Sequence, residues 1–313
     1  MILSKIVWNP VEGIDLGFFV IRFYSLMFVV AFSLGWYLMK KIYIRENISM
    51  EKLDSIFIYA VVATLIGARL GHVFFYDWDY YRNHLLEIIL PFRFSPKFEF
   101  IGFQGLASHG AAIGIITAMY YYSKKVVQKH ILWVLDRIVI PVAFGGIFVR
   151  LGNFFNSEII GKESGDSPFG VKFIRDGISK FEVVKETGIK DVNKAYAAIV
   201  DNPKFSALLD SVPYRHPAQL YEAFGYVFVA IILWLIYWKT DKRNYKGFIF
   251  GVFLILLWTV RFVVEYVKKS QGGFEEALGD SLSTGQWLSI PFIVAGIYFV
   301  IVSFKKKEEA TQN

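Results

Sequence analysis

The sequence predicts an all-α membrane protein of seven transmembrane helices with a small extracytoplasmic cap. Three observations carry that prediction. Of the 313 residues, 55% are hydrophobic and 18% aromatic, and mean hydropathy is +0.43, too apolar for a soluble domain of this size. Several apolar runs reach the roughly 20 residues needed to cross a bilayer. Lysines and arginines gather at the ends of those runs, so the formal net charge of +7 reflects topology rather than nucleic-acid binding. Strand signals are poor and alternating ten-residue segments are absent, which argues against a β-barrel.

The spans are expected at about 18–39, 54–76, 104–123, 131–155, 217–238, 247–267 and 287–304, within one polytopic domain covering 1–313. Between the fourth and fifth, residues 156–216 mix Lys, Glu, Asp and apolar residues and read as a folded, partly helical cap. The segment 77–103, with Pro91 and Pro96, reads as an irregular arm at the interface. The sequence beginning "MILSKIVWNPVEGIDLG" lacks the pattern of a cleaved signal peptide. With no cysteine, the chain has no disulfide, no thiol nucleophile and no cysteine metal site.

Basic residues set the orientation. Lys40, Lys41, Arg45 and Lys52 follow span one; Lys124, Lys125 and Lys129 follow span three; Lys239, Lys242, Arg243 and Lys246 follow span five; Lys305, Lys306 and Lys307 follow span seven. By the positive-inside rule the N-terminus is outside and the C-terminus cytoplasmic. In that frame Tyr24, Arg69, His72, His109, Arg150, Asn153, Asn156, Gln219, Tyr221, Glu222, Arg261, Glu265 and Gln286 all fall in the outer leaflet. Ionisable groups at membrane depth are costly and face the protein interior or water, so the pattern predicts one polar chamber open outward. An ion path would need polar groups in the inner half as well.

The stretch "VRLGNFFNSEIIG", Val149 to Gly161, is the most concentrated part. Arg150, Asn153 and Asn156 share about 120° of a helix face. Arginine presents a planar fork of donors suited to phosphate, and Gly152 permits close approach. Glu158 either orients Arg150 in an ion pair or accepts from a hydroxyl. Arg261 and Glu265 stand one turn apart, in the weaker order for a helical pair, which calls for other partners. Arg22 reads as snorkelling to headgroups, and Gly67 and Gly71 as a helix-packing pair. Pro217, after His216, reads as the first residue of a helix. His109, among small residues in "LASHGAAIG", has a side chain suited to proton transfer near neutrality. No second His or Cys stands at metal-ligand spacing, and no dinucleotide or P-loop fingerprint is present, so neither metal nor cofactor is expected.

These residues resemble a known family. "VRLGNFFNSEIIG" and "RHPAQLYE", Arg215 to Glu222, are similar to signature blocks of the bacterial phosphatidylglycerol–prolipoprotein diacylglyceryl transferases. "GARLG" at 67–71, "SHG" at 108–110, "RFVVE" at 261–265 and "STGQWLSIP" at 283–291 resemble further blocks in the same order. The resemblance implies a seven-helix enzyme of the bacterial inner membrane, with its active site facing outward. Its partners would be phosphatidylglycerol and the lipobox cysteine of a prolipoprotein signal peptide. Diacylglycerol would pass to that thiol as a thioether, releasing glycerol 1-phosphate, as the first step of lipoprotein maturation. It implies that His109, Arg150 and Arg261 matter for activity, and it places Tyr24, Asn153, Glu158, Tyr221 and Glu265 around the lipid headgroup. With the polar groups read above, the candidate substrate-binding set is Tyr24, Arg150, Asn153, Asn156, Glu158, Gly161, Gln219, Tyr221, Glu222, Glu265 and Gln286. His109 is either the general base for the thiol or a headgroup ligand. The competing class is a transporter or binding protein for an anionic solute or lipid.

Overall fold

The computed structural model describes residues 5–17, 20–90, 92–94, 97–100, 105, 107–269 and 282–312. In chain order the strands are β1 (Ile6–Trp8), β2 (Gly13–Asp15), β3 (Val20–Arg22), β4 (Phe92–Arg93), β5 (Glu99–Phe100), β6 (Val171–Phe173) and β7 (Tyr214–Arg215). The α-helices are α1 (Phe23–Arg45), α2 (Met50–Phe75), α3 (Trp78–Tyr81), α4 (Leu86–Ile89), α5 (Ser108–Tyr122), α6 (Ile131–Phe155), α7 (Ile174–Gly177), α8 (Lys180–Thr187), α9 (Val192–Asp201), α10 (Ser206–Ser211), α11 (Ala218–Lys239), α12 (Phe248–Val264) and α13 (Thr284–Gln312). Among the described residues six helices are long and apolar enough to cross a membrane: α1, α2, α6, α11, α12 with its terminal turn, and α13. The expected third span is shorter as an α-helix: α5 has 15 residues and continues into a five-residue π-turn, Ser123–Val127.

The chain divides into two compact units, Met1–Gly35 with Val139–Asn313, and Trp36–Ile138. In the second unit α2 packs along α5 through two Gly-x-x-x-Gly stripes. A Cβ at Gly71 would lie 2.6 Å from the Gly110 Cα, and one at Gly114 would lie 3.2 Å from the Gly67 Cα. The packing expected of "GARLG" is present, and its partner "GAAIG", passed over in the sequence reading, supplies the facing stripe. At the far end of α5 the Tyr122 hydroxyl donates to the Lys52 carbonyl of α2 (2.9 Å) and lies 2.8 Å from the Tyr43 hydroxyl of α1. Gln128, at φ 55°, closes the π-turn in a left-handed cap.

Arg69 and His72, read from sequence as chamber groups, instead anchor the arm that follows α2. Arg69 Nε donates to the Ile88 carbonyl (3.0 Å), with its guanidinium 4.8 Å from the Tyr81 ring centre. His72 Nε2 meets Asp77 at 2.9 Å. The arm is more regular than expected, with α3, α4 and the β4–β5 pair; Pro91 and Pro96 lie outside the described residues. A second buried charged group, also missed in the sequence, sits at the start of α6. Arg137 donates to Glu46 (3.1 Å) beside the fully buried Asp136, so buried charge also occurs at the end of α6 opposite Arg150.

In the first unit the expected first span shifts by five residues at its start. Gly17, at φ 85°, and its N–H bond to Asp15 Oδ1 (2.7 Å) permit a hairpin, and β3 pairs antiparallel with β2. Arg22 therefore lies exposed on a strand, and the helix begins at Phe23. Likewise Pro217 is the N-cap of α11, one position before the helix. The 156–216 segment is folded as expected. Its core is Ile174, Ile178, Val183, Ala195, Tyr196, Ile199 and Val212, and β6 is paired on both sides, by β1 in parallel and β7 antiparallel. Glu12 joins the N-terminal segment to α8 through Lys180 (2.7 Å); that hydrogen bond holds the Glu12 carboxyl below its ordinary range against the opposing effect of burial.

The glycine stripes predict opposite signs for one substitution. In Gly110→Ala the new methyl meets backbone, which cannot yield without parting α2 from α5, so overpacking costs about 1–3 kcal/mol. Gly35 has only the Pro141 Cβ at 3.7 Å from the Cβ position, and Gly35→Ala gains helix propensity of up to about 1 kcal/mol. Thermal unfolding in detergent should show a lowered Tm for the first and an unchanged or raised Tm for the second.

Candidate active site

Helical periodicity and the alternating direction of successive spans bring five helix ends together in the first unit: the starts of α1, α11 and α13 and the ends of α6 and α12. Arg150 is the hub. Its guanidinium pairs through Nε with the Glu222 carboxylate and donates through Nη1 to Asn153 Oδ1 (3.1 Å). Asn153 Nδ2 donates to Glu158 Oε2 (3.4 Å), and Asn156 Nδ2 to Glu158 Oε1 (3.1 Å). Glu158 is thus linked to Arg150 through Asn153, and the direct partner of Arg150 is Glu222. The reason is depth: the Glu222 side chain is 1% exposed, where a carboxylate needs a cation, whereas Glu158 is exposed.

Tyr24 lies beside Asn153, Arg150 and Glu158. A Cβ at Gly152 would fall 2.8 Å from its ring, so Gly152 admits the tyrosine. Gln219, fully buried, donates to the Glu158 carbonyl. Two residues of this loop, Ser157 (φ 54°) and Ile159 (φ 57°), adopt the left-handed conformation. For a β-branched residue that is an outlier, with strain of order 1–3 kcal/mol that the surroundings must hold in place. Gly161 follows, wedged so closely that a Cβ would meet the His216 and Val267 carbonyls at 2.6 Å. Its place is set by backbone packing. Tyr221 hydrogen-bonds His216 Nδ1 (3.2 Å).

On α12, Arg261 and Glu265 do not pair with each other among the described residues. Arg261 lies with its guanidinium 5.0 Å from the Trp258 ring centre, and its buried Nε has no hydrogen-bond partner among the described residues. Glu265 pairs with Lys268 at 3.3 Å, and Lys268 also approaches Glu222 at 4.0 Å. Lys268 is 7% exposed. It is not among the candidates read from the sequence, because a buried and an exposed lysine at a helix end look alike there. Tyr226, buried against Arg150 and Glu222, was also missed. Gly285 leaves room for the Glu265 carboxylate against the start of α13. Gln286 Oε1 accepts from the Ser283 N–H (3.0 Å) while Ser283 Oγ accepts from the Gln286 N–H (3.3 Å), a reciprocal cap of α13. His109 belongs to the other unit, as the exposed second residue of α5.

The arrangement is a polar cluster, buried at Asn153, Gln219, Glu222 and Lys268, whose Arg261 guanidinium meets no carboxylate among the described residues and is suited to an anionic group. The family model of prolipoprotein diacylglyceryl transferases matches residues 12–302. The chain is 37% identical over 302 residues to the phosphatidylglycerol–prolipoprotein diacylglyceryl transferase of Tolumonas auensis, covering 96% of this chain and 98% of that protein. It is 36% identical over 309 residues to the enzyme of the same name from Bacteroides fragilis, covering 98% of each. It is 36% identical over 306 residues to that of Chloroherpeton thalassium, covering 97% of each.

The charge network predicts unequal costs for its two central members. Glu222→Leu leaves Arg150 buried without a carboxylate in contact, a loss on the scale of about 3–5 kcal/mol. Arg150→Met leaves Glu222 with Lys268 nearby and should cost less. In the double variant the two losses should not add, because the partners are in contact. Tm values of the four proteins check this; additive losses would mean that the pair is not coupled.

Proposed function

The chain belongs to the prolipoprotein diacylglyceryl transferase family, and we propose that it transfers the diacylglyceryl group of phosphatidylglycerol to the lipobox cysteine of a prolipoprotein. The carrying observation is the Arg150 and Arg261 pair inside a buried polar cluster. Arg150 and Arg261 grip the phosphate, and their charge stabilises it as it leaves. Tyr24, Asn153, Asn156 and Glu158 line the headgroup side, where the exposed Glu158 carboxylate accepts from a glycerol hydroxyl. Gln219, Gly161, Tyr221 and Gln286 shape the walls, and Glu222 and Glu265 hold the cations in place.

The nucleophile comes from the substrate, since the chain has no cysteine. The thiol must become thiolate to attack carbon, and His109 is assigned as the base. The carbon–sulfur bond forms at the glyceryl methylene as its carbon–oxygen bond breaks. The bonding pair stays on the phosphate oxygen, and glycerol 1-phosphate departs.

The setting is the bacterial inner membrane, with seven spans. The continuous helix Ser108–Val127 supplies the seventh: about 20 residues at 1.5 Å each match a hydrocarbon core of about 30 Å. The basic linkers support an orientation with the N-terminus and the 156–216 cap outside and the C-terminus in the cytoplasm. An anionic-solute transporter is disfavoured because no internal repeat relates the spans.

The test is a transfer assay with purified protein, phosphatidylglycerol and a lipobox peptide, reading the thioether product by mass. Transfer from phosphatidylglycerol and none from phosphatidylcholine is expected; no transfer overturns the reading. Arg150→Lys should lose about 10²-fold in rate while the protein still inserts, because a point charge cannot reproduce the planar fork. His109→Gln should lose about 10²- to 10⁴-fold near neutrality yet still bind phosphatidylglycerol. It should recover in part as pH rises towards the thiol pKa of about 8.5, where the substrate ionises unaided. Lost lipid binding without rescue would make His109 a headgroup ligand instead.

A further inference from the structure

Arg150, Arg261 and Lys268 share the cluster with the carboxylates of Glu222, Glu265 and, at its exposed edge, Glu158. Glu222 is taken by Arg150 and Glu265 by Lys268, and Arg261 is left without a carboxylate among the described residues. A phosphodiester carries one negative charge, which Arg261 can meet. The product carries more. Once the carbon–oxygen bond has broken, the phosphate is a monoester, carrying about −1.5 to −2 at pH 7. The thiol has meanwhile released its proton to the base. Chemistry therefore adds up to one further negative charge at the phosphate, and a second cation must answer it.

The geometry points to Lys268 as that cation. We propose that the Lys268 ammonium, held in reserve between Glu265 and Glu222, turns to the leaving phosphate and balances the charge that appears only as the carbon–oxygen bond breaks. Arg150 is engaged by Glu222 on one side and by Asn153 on the other, whereas the Lys268 ammonium makes one hydrogen bond among the described residues, to Glu265 (3.3 Å). Its ammonium is a compact charge on a flexible stem with three rotatable donors, so it can turn without rebuilding the site. Its backbone is fixed: the Gly161 segment bridges Lys268, Lys162 N–H donates to the Val267 carbonyl (2.7 Å), and Lys269 N–H to the Ile160 carbonyl (3.2 Å). The stem is thus anchored to the strained loop that carries Glu158. An interaction made only as charge develops raises turnover rather than substrate affinity.

The inference rests on the transferase reading, and the experiment separates the two. Wild type, Lys268→Met and Lys268→Arg are compared as full-length proteins in the phosphatidylglycerol–peptide assay, with added glycerol 1-phosphate as inhibitor. Lys268→Met should lower kcat by about 10²-fold with little change in KM for phosphatidylglycerol. Glycerol 1-phosphate should inhibit it at least about tenfold more weakly, the scale of one charged hydrogen bond. Lys268→Arg should restore most of both. The inhibition constant does not depend on the fraction of protein that folds, so a destabilised variant still gives an answer. Equal inhibition of wild type and Lys268→Met overturns the assignment. So does a raised KM with unchanged kcat, which would put Lys268 on the diester before reaction. If wild type itself transfers nothing, the transferase reading fails. Direct binding of glycerol 1-phosphate by calorimetry then still tests Lys268: weaker binding to Lys268→Met supports it, and equal binding overturns it.

Discussion

Glu222 carries a carboxylate into a site where 1% of its side chain remains exposed, on a helix apolar enough to cross a membrane. An isolated charge at such depth is costly enough that it must be paired. Arg150 supplies the pairing, and much of the surrounding arrangement follows from keeping that pair satisfied. Arg150 leans on Asn153, which leans on Glu158, which receives Asn156 and, through its backbone, Gln219. On the other side Glu222 reaches Lys268, and Lys268 reaches Glu265. Each link uses a group that would be unpaired without its neighbour, so the helix ends are held in register by charge as well as by apolar packing. The same logic leaves Arg261 distinctive, a part-buried cation whose buried Nε has no hydrogen-bond partner among the described residues.

The loop after α6 shows what that register requires of the backbone. Ser157 and Ile159 sit at positive φ, conformations that a relaxed chain would assign to glycine. The alternation turns the Glu158 side chain back onto Asn153 and Asn156 while its carbonyl meets Gln219. Gly161 then passes between the 216 and 267 backbones, where no side chain fits. Two strained residues and one obligatory glycine within five positions mark a segment whose shape is imposed by its surroundings, as expected where local preference yields to a site.

Much of this was legible in the sequence. The apolar runs located α2, α6, α11, α12 and α13 closely, because a span's length is dictated by the bilayer. The convergence of Tyr24, Arg150, Asn153, Gln219, Glu222 and Glu265 was legible because span direction and helical period together fix which ends meet. Pairing was not. Sequence spacing offered Glu158 for Arg150, and for Arg261 and Glu265 it called for other partners without naming them, because partners are chosen by burial across helices: Glu222 is buried and Glu158 is not. Lys268 was hidden because the bridge that buries it comes from Gly161, remote in sequence. Arg69 looked like a chamber residue because the arm that occupies it is built of four-residue helices and two-residue strands, too short for periodicity to announce where its carbonyls would fall.

The cap can now be related to the site through its stem. Gly161 N–H donates to the His216 carbonyl (2.8 Å), His216 N–H to the Lys162 carbonyl (3.0 Å) and Ser164 N–H to the Tyr214 carbonyl (2.8 Å). The two chain crossings into the cap are thus hydrogen-bonded to one another before the cap begins. The cap then closes its own core around Ile174, Tyr196 and Ile199 and pairs β6 with β1. A closed stem makes the length of what lies beyond it cheap, since loop-closure entropy grows only slowly with length. The elements that carry charge, α6 through Glu158 and α11 from Gln219, lie below that stem. Variation in the cap is therefore decoupled from the charge network, and it explains why the segment from 165 to 213 reads as ordinary folded surface while "VRLGNFFNSEIIG" and "RHPAQLYE", on either side of the stem, hold the polar residues that the network requires.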